Sequence, residues 1–153
     1  MVKLKKILCP IDFSACSAYA LSYAIDLSVR EHASLYLIHV IETHISNFGD
    51  IIKQIDLLLD DKQINNLNMR LINLVPGDMQ KNISIKPIVA KGIPFVEIIK
   101  TAKDNLVDLI VMGTHGRTGL NHILIGSVAE RVIQKAPCPV LSIRLPKQSF
   151  TMP

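Results

Sequence analysis

Between Asp108 and Glu130 an unbroken aliphatic run, Leu109-Ile-Val-Met112, passes directly into a loop set by three glycines and a serine: Gly113-x2-Gly116-x9-Gly126-Ser127. An apolar run with no polar alternation, bounded by glycine, reads as a strand buried on both faces. Such a strand needs helices on both sides of its sheet. Beyond Ser127 the apolar positions Val128, Ala129, Val132 and Ile133 recur at helical spacing. The stretch is therefore strand, long glycine-punctuated loop, helix.

The loop's chemistry narrows its use. From Thr114 to Ile125 it carries His115, Arg117 and His122 and not one carboxylate. Glycines at 113, 116 and 126 allow positive φ and bring backbone N–H groups close to a ligand. The helix that starts at Ser127 adds unpaired N–H groups and the positive end of its dipole. Donors, a positive field and no competing acid describe a phosphate cradle. A plainer reading stands beside it, because Ser127-Val-Ala-Glu130 matches a capping box in which Ser127 caps its own helix. The spacing and placement favour the cradle, and Ser127 can serve both.

The rest of the chain supplies the sheet. Lys6–Ile11 reads as a first strand ended by Pro10, followed by a turn in which Asp12 or Ser14 is available as a helix cap. A helix with Ala18, Leu21, Ile25 and Val29 on its inner face follows, then a second strand over Ser34–Ile41. Residues 43–50 read as loop. Ile51–Leu74 reads as a long helix with a break near Asp60-Asp61, and Pro76-Gly77-Asp78 as a turn. The third strand is expected over Ile83–Ala90, at an edge because of Pro87. A helix opened by Pro94 buries Phe95, Ile98, Ile99 and Ala102. After the glycine loop and its helix, Pro137–Arg144 forms a fifth, edge strand. Alternating βα units with buried strands imply one domain: an open five-stranded parallel sheet with helices on both faces. Right-handed crossovers and one reversal of direction give the order 3-2-1-4-5. Strands 1 and 4 then meet at the switch point, where Pro10-Ile-Asp12 and Gly113-Thr-His-Gly116 share one crevice.

Composition excludes several classes. A chain of 153 residues with 49% hydrophobic residues suits a single domain with a sizeable aliphatic core. The net charge of +4 is spread along the chain and not interleaved with aromatics, so a nucleic-acid groove is not expected. No window has the apolar length of a membrane span, and none reads as a signal-peptide core. Three cysteines without a C-x-x-C spacing fit neither a disulfide framework nor a zinc site. The expected compartment is the cytoplasm.

Taken together, these residues resemble the universal stress protein family in its ATP-binding branch. The resemblance runs through Lys5-Lys6-Ile-Leu-x-Pro10-x-Asp12-Phe-Ser14, Ile38-His39-Val40, Gly92-Ile-Pro94, Val107–Gly116, Gly126-Ser127-Val128 and Pro137-x-Pro139-Val140-Leu141. The family's G-x2-G-x9-G-[S/T] signature is complete. What the resemblance implies is an adenine nucleotide alpha hydrolase-like fold over residues 1–146, with 147–153 as a tail. It further implies ATP or AMP as ligand, with Mg2+ or Mn2+, in a nucleotide-dependent stress-response switch. By matching positions, Asp12 and Pro10 stand near the adenosine and Val40 meets adenine. Met112 and Gly113 lie under the ribose, and Gly116, Arg117, Gly126, Ser127 and Val128 surround the phosphates. The family commonly dimerises through its fifth strand, here Val140, Leu141, Ser142, Ile143 and Arg144.

Some residues keep two readings. Asp12 is a ligand to a cation or ribose hydroxyl, or a helix cap. His115 donates to phosphate or exchanges a proton, or is a solvated loop histidine. His39, in a buried strand, reads as a satisfied core residue. Cys9 and Cys138 read as inert strand thiols, and Cys16, in a helix's first turn, as inert or redox-active. No P-loop lysine, zinc-protease motif or nucleophile elbow is present. No catalytic residue is assigned, and at most weak ATP hydrolysis is expected.

Overall fold

Apolar runs become strands wherever the structure describes them. The computed structural model describes residues 3–43, 60–115 and 125–146. Strands β1 (Lys6–Pro10), β2 (Ser34–Glu42), β3 (Ile85–Gly92), β4 (Leu109–Gly113) and β5 (Val140–Ile143) form one sheet. Its order is β3-β2-β1-β4-β5 and every pairing is parallel. Fold class, strand order and both edge assignments agree with the sequence reading. Helices α1 (Ala15–Glu31), α2 (Asp61–Asn73), α3 (Gly77–Gln80), α4 (Pro94–Asp104) and α5 (Ser127–Lys135) complete the described elements.

The period-two alternation of each strand divides the core into two layers. Ile7, Cys9, Leu35, Leu37 and Val111 face α1 and α2, where they meet Ala20, Leu21, Ala24 and Leu71. Leu8, Ile38, Ile110 and Met112 face the other way, onto Ile98 and Ala102 of α4 and Ala129 and Val132 of α5. Below the sheet's N-terminal edge, the Asp108 carboxylate accepts from the backbone N–H groups of Lys5 and Lys6 at 2.8 and 2.9 Å. That pair of bonds fixes where β1 and β4 start relative to each other, and hence where they end.

Several local expectations change. The inner face of α1 is Cys16, Ser17, Ala20, Leu21, Ala24, Ile25 and Ser28, while Ala18 is exposed and Val29 half-buried. Small residues line the centre of the contact so that the helix can sit close on the sheet, which a search for large apolar residues overlooks. Ser14, not Asp12, caps α1 by accepting from Ser17 N–H at 3.2 Å. Asp12 instead accepts the Ser14 N–H through Oδ1 at 2.9 Å. The expected break at Asp60-Asp61 is a true helix start, with a capping box between Asp60 and Gln63. The proposed helical stretch 51–59 lies outside the described residues, as do 44–50 and 147–153. Pro76-Gly77-Asp78 opens the single turn α3. The third strand is displaced to Ile85–Gly92, and the fifth is shorter than expected, because Pro137 and Pro139 precede it rather than belong to it. Ile133 is exposed, not packed.

At Gly113 the fold has no room for a side chain. A Cβ there would lie 2.8 Å from Cys16 Sγ and 3.1 Å from the Cys16 backbone carbon and oxygen. Its glycine permits close approach of α1, not a positive φ, since Gly92 alone among the described glycines has one. Gly113→Ala is therefore expected to destabilise the protein by about 1–3 kcal/mol in urea unfolding, as overpacking does. Adding Cys16→Ala should recover part of that loss. Additive effects of the two changes would show that the clash does not govern the site.

Candidate functional site

The carboxyl ends of β1 and β4 separate at the switch point and leave a cleft of about 600 Å³. Its floor and walls come from four places: Pro10–Asp12 after β1, Ile38–Glu42 of β2, Met112–His115 at the end of β4, and Gly126–Ala129 at the start of α5. Pro94 and Ile98 of α4 close one side. A cavity of this size, lined by both apolar and polar groups, suits a small organic ligand.

Of the residues singled out in the sequence, Pro10, Asp12, Val40, Met112, Gly113, His115, Gly126, Ser127 and Val128 all line this cleft. Gly116 and Arg117 lie outside the described residues. Sequence reasoning placed Ile11 and Thr114 in the crevice with the strand ends that carry them, overlooked Ser17, Ile41 and Glu42 as lining residues, and placed His39 in the core alone. Their apolar or ordinary character gave no signal; only the strand ends to which they belong could have marked them.

The phosphate-cradle reading turns on the start of α5. Gly126 is its cap residue, with φ −71° and ψ 153°, and supplies no side-chain hydrogen bond. Ser127 is the first helical residue, so the capping-box alternative fails: Glu130 falls one position too late. Its carboxylate accepts instead from the Gln134 side chain at 3.5 Å. The first-turn N–H groups of α5, which no helix can pair internally, thus open on the cleft without a side-chain cap. The ordinary φ of Gly126 corrects the expectation that this glycine turns the chain through positive φ.

Thr114 joins three parts of the site. Its N–H donates to Ile143 O at 2.9 Å, extending the β4–β5 pairing, and its carbonyl accepts from Gly126 N–H at 2.7 Å. Its hydroxyl lies 2.9 Å from His115 Nδ1. The opposite wall is equally fixed. Phe13 adopts a left-handed φ of 62°; its ring packs 4.8 Å from that of His39 and lies 4.4 Å beneath the Arg70 guanidinium. His39 is buried, and its Nδ1 stands 2.7 Å from Ile11 O. A carbonyl only accepts, so Nδ1 carries the proton. His39 is thus the satisfied residue expected, and it also meets the cleft.

The cysteines are free. Burial pushes the Cys9 thiol far up. Burial chiefly, with the nearby Asp108 charge, raises Cys138 too, although this residue precedes β5 rather than lying in a strand. Cys16 is buried and its thiol points to Ile143 O at 3.5 Å, which leaves it a packing role. Among the described residues no cluster of three metal-ligating side chains occurs, and no helix is long and apolar enough to cross a membrane.

Fold and cleft define a doubly wound α/β protein with a crevice at its switch point. The model of the universal stress protein family matches residues 3–144, and the chain belongs to that family. Universal stress protein MJ0531 of Methanocaldococcus jannaschii is 36% identical over 94% of this chain and 84% of its own length. Universal stress protein MJ0577 of the same organism is 31% identical over 94% of this chain and 96% of its own. The solved structure of MJ0577 superposes with a TM-score of 0.80, at 33% identity, over 96% of this chain and all of that one. The same fold occurs in a universal stress protein in complex with cAMP, with a TM-score of 0.67 at 18% identity over 93% of this chain and 98% of that one. An Archaeoglobus fulgidus relative in complex with dAMP shares it too, with a TM-score of 0.57 at 17% identity over the same shares of the two chains.

The assignment of the α5 cap has a measurable consequence. Ser127→Ala is expected to change unfolding free energy by no more than about 0.5 kcal/mol. Ser14→Ala, which removes a working cap, should cost about 1 kcal/mol. Equal losses in urea titrations would return a capping role to Ser127.

Proposed function

We propose that the cleft binds an adenine nucleotide, ATP in particular, and that the protein is a nucleotide-dependent stress-response switch of the cytoplasm. The observation that carries this reading is convergence: Asp12 after β1, Val40 on β2, and Gly113, His115 and Gly126–Val128 around β4 and α5 surround one cavity. The cAMP and dAMP complexes of two proteins of this fold support an adenine ligand. In this reading Pro10, Val40 and Met112 give the apolar walls for the base and ribose, and Asp12 accepts from a ribose hydroxyl. Gly116, Arg117, Gly126, Ser127 and Val128 take the phosphates with backbone N–H groups, the guanidinium and the helix field. A Mg2+ or Mn2+ ion would neutralise phosphate charge, carried in with the nucleotide and met by Asp12. The domain is proposed to occupy residues 1–146, with 147–153 as a tail.

Calorimetric titration with ATP tests this. Micromolar binding, on the order of 8 kcal/mol, is expected for the wild type and should be lost in Gly126→Val. The backbone at 126 is one that any L residue adopts, so this variant should fold. Phosphate release should stay close to that of Gly126→Val. Absence of binding by the wild type would overturn the reading.

The outer edge of β5 supports a homodimer formed through Val140, Leu141, Ser142, Ile143 and Arg144. Leu141 is 37% exposed on a strand with one neighbour in the sheet, and such an edge needs a partner or protection. Light scattering is expected to show a dimer for the wild type and a monomer for Leu141→Lys. A dimer unaffected by the lysine would place the interface elsewhere.

A further inference from the structure

We propose that His39 is a positioning residue for Asp12: by holding the residues on both sides of it, His39 aims the Asp12 carboxylate at the ribose and so sets the cleft's preference for a nucleotide with intact ribose hydroxyls. This inference rests on the nucleotide reading above and deepens it. Its ground is the way the chain is held where it leaves β1. Ile11 is buried, and both of its backbone groups are taken by consecutive residues of β2. Its N–H donates to Ile38 O at 2.8 Å, and its carbonyl accepts from His39 Nδ1 at 2.7 Å. A peptide group is planar, so the Ile11 carbonyl and the Asp12 N–H turn together. The histidine's hydrogen bond therefore orients the peptide that leads into Asp12.

The other side of Asp12 is held by the same ring. Phe13 packs on His39 with ring centroids 4.8 Å apart and planes tilted by 56°, and the Arg70 guanidinium lies over Phe13 at 4.4 Å. The φ of Phe13 is 62°, a conformation that a bulky residue keeps only where its surroundings hold it. Asp12 thus stands between an anchored carbonyl and an anchored ring, with Oδ1 accepting from the Ser14 N–H at 2.9 Å. A buried histidine needs an acceptor for Nδ1–H, but that need alone does not place its ring against the strained Phe13. Both contacts bear on the residue between them. A carboxylate recognises ribose by accepting from its hydroxyls, and hydrogen bonds of this kind weaken steeply when misdirected. Fixing the direction of Asp12 is what lets the cleft tell a ribose from a sugar without hydroxyls.

Calorimetric titration of the full chain with ATP and with dideoxy-ATP, which lacks both ribose hydroxyls, tests the proposal through the ratio of the two affinities. The wild type should prefer ATP by about tenfold, the worth of a hydrogen bond to a charged group. His39→Leu should weaken ATP by about tenfold and leave dideoxy-ATP within about twofold, so that the preference disappears. His39→Asn, whose side-chain amide replaces Nδ1–H, should keep a preference of about threefold or more, since the bond to Ile11 survives. Arg70 is exposed, so Arg70→Ala spares the core and keeps the test open should His39→Leu fail to fold. It should lower the preference by about twofold, as loss of an exposed cation–π contact does. In an Asp12→Ala background, His39→Leu should cost ATP nothing further, because it acts through the carboxylate. Equal losses for the two nucleotides in His39→Leu, or an asparagine variant no better than the leucine one, would overturn the proposal. So would an unchanged preference in Arg70→Ala, or additive losses from His39→Leu and Asp12→Ala. Wild-type protein that bound both nucleotides equally would overturn the ribose role of Asp12 and this inference with it, and leave the nucleotide reading standing. Wild-type protein with no affinity for either would overturn that reading itself, and this inference with it.

Discussion

The close approach of α1 to the end of β4 is the contact on which the rest of the site depends. It exists because Gly113 has no Cβ and because Cys16 and Ser17 are small enough for the first turn of the helix to rest there. Asp12, which precedes α1, and Thr114 and His115, which follow β4, line the same cleft although far apart in sequence. A bulkier pair would push the helix outward and open the cleft at its base. The same backbone carbonyl, Ile143 O, receives both the Thr114 N–H and the Cys16 thiol. Edge strand, helix start and loop are therefore tied at one atom.

The facing wall is held in a less comfortable state. A bulky residue in the left-handed region, as Phe13 is, costs of order 1–3 kcal/mol and persists only where its surroundings fix it. Here the fixing groups are identifiable: Arg70 over one face of the ring, His39 against it, and the Asp12–Ser14 hydrogen bond closing the turn. The exposed cation–π contact offers about 0.5–1 kcal/mol, less than the strain, so the buried His39 and the helix cap must supply the balance. The turn aims Asp12 into the cleft. Its conformation fits a position selected for the site rather than for ease of folding.

Much of this was legible because strands buried on both faces announce themselves as unbroken aliphatic runs. Leu109–Met112 and Leu35–Ile38 admitted no other reading, and two such runs with helices between them leave few topologies. The α5 start at Ser127 was legible for the same reason, since apolar spacing changes period there. What stayed hidden depended on contacts between distant elements. Ser127 fitted a capping box by pattern, and only the backbone at Gly126 shows that the cap lies one residue earlier. The role of Gly113 was attributed to φ, whereas the reason is the proximity of Cys16. The strand end placed Thr114 in the crevice, but its backbone bonds to Ile143 and Gly126 stayed hidden until its neighbours across the sheet were known. The contact face of α1 was misjudged where alanine and serine, not large residues, make it.

The chemistry available in the cleft follows from how its titratable groups are already engaged. Asp12, His39, Glu42 and His115 are the four that line it among the described residues. Three have a local bond: Asp12 accepts from Ser14 N–H, His39 donates to Ile11 O, and His115 meets the Thr114 hydroxyl. Binding of an anion needs donors held still, and here the donors sit on rigid elements: a helix start and a strand end clipped together by the Gly126 N–H. On the proposed reading, such an arrangement holds a nucleotide. Thr114 belongs both to the cleft and to the pairing of β4 with β5, so the helix start and the sheet edge are joined by backbone bonds, not by a flexible side chain. The proposed dimer strand is thus two backbone hydrogen bonds away from the helix start of the proposed phosphate site, Gly126 N–H to Thr114 O and Thr114 N–H to Ile143 O, and by linkage any coupling between the two is reciprocal.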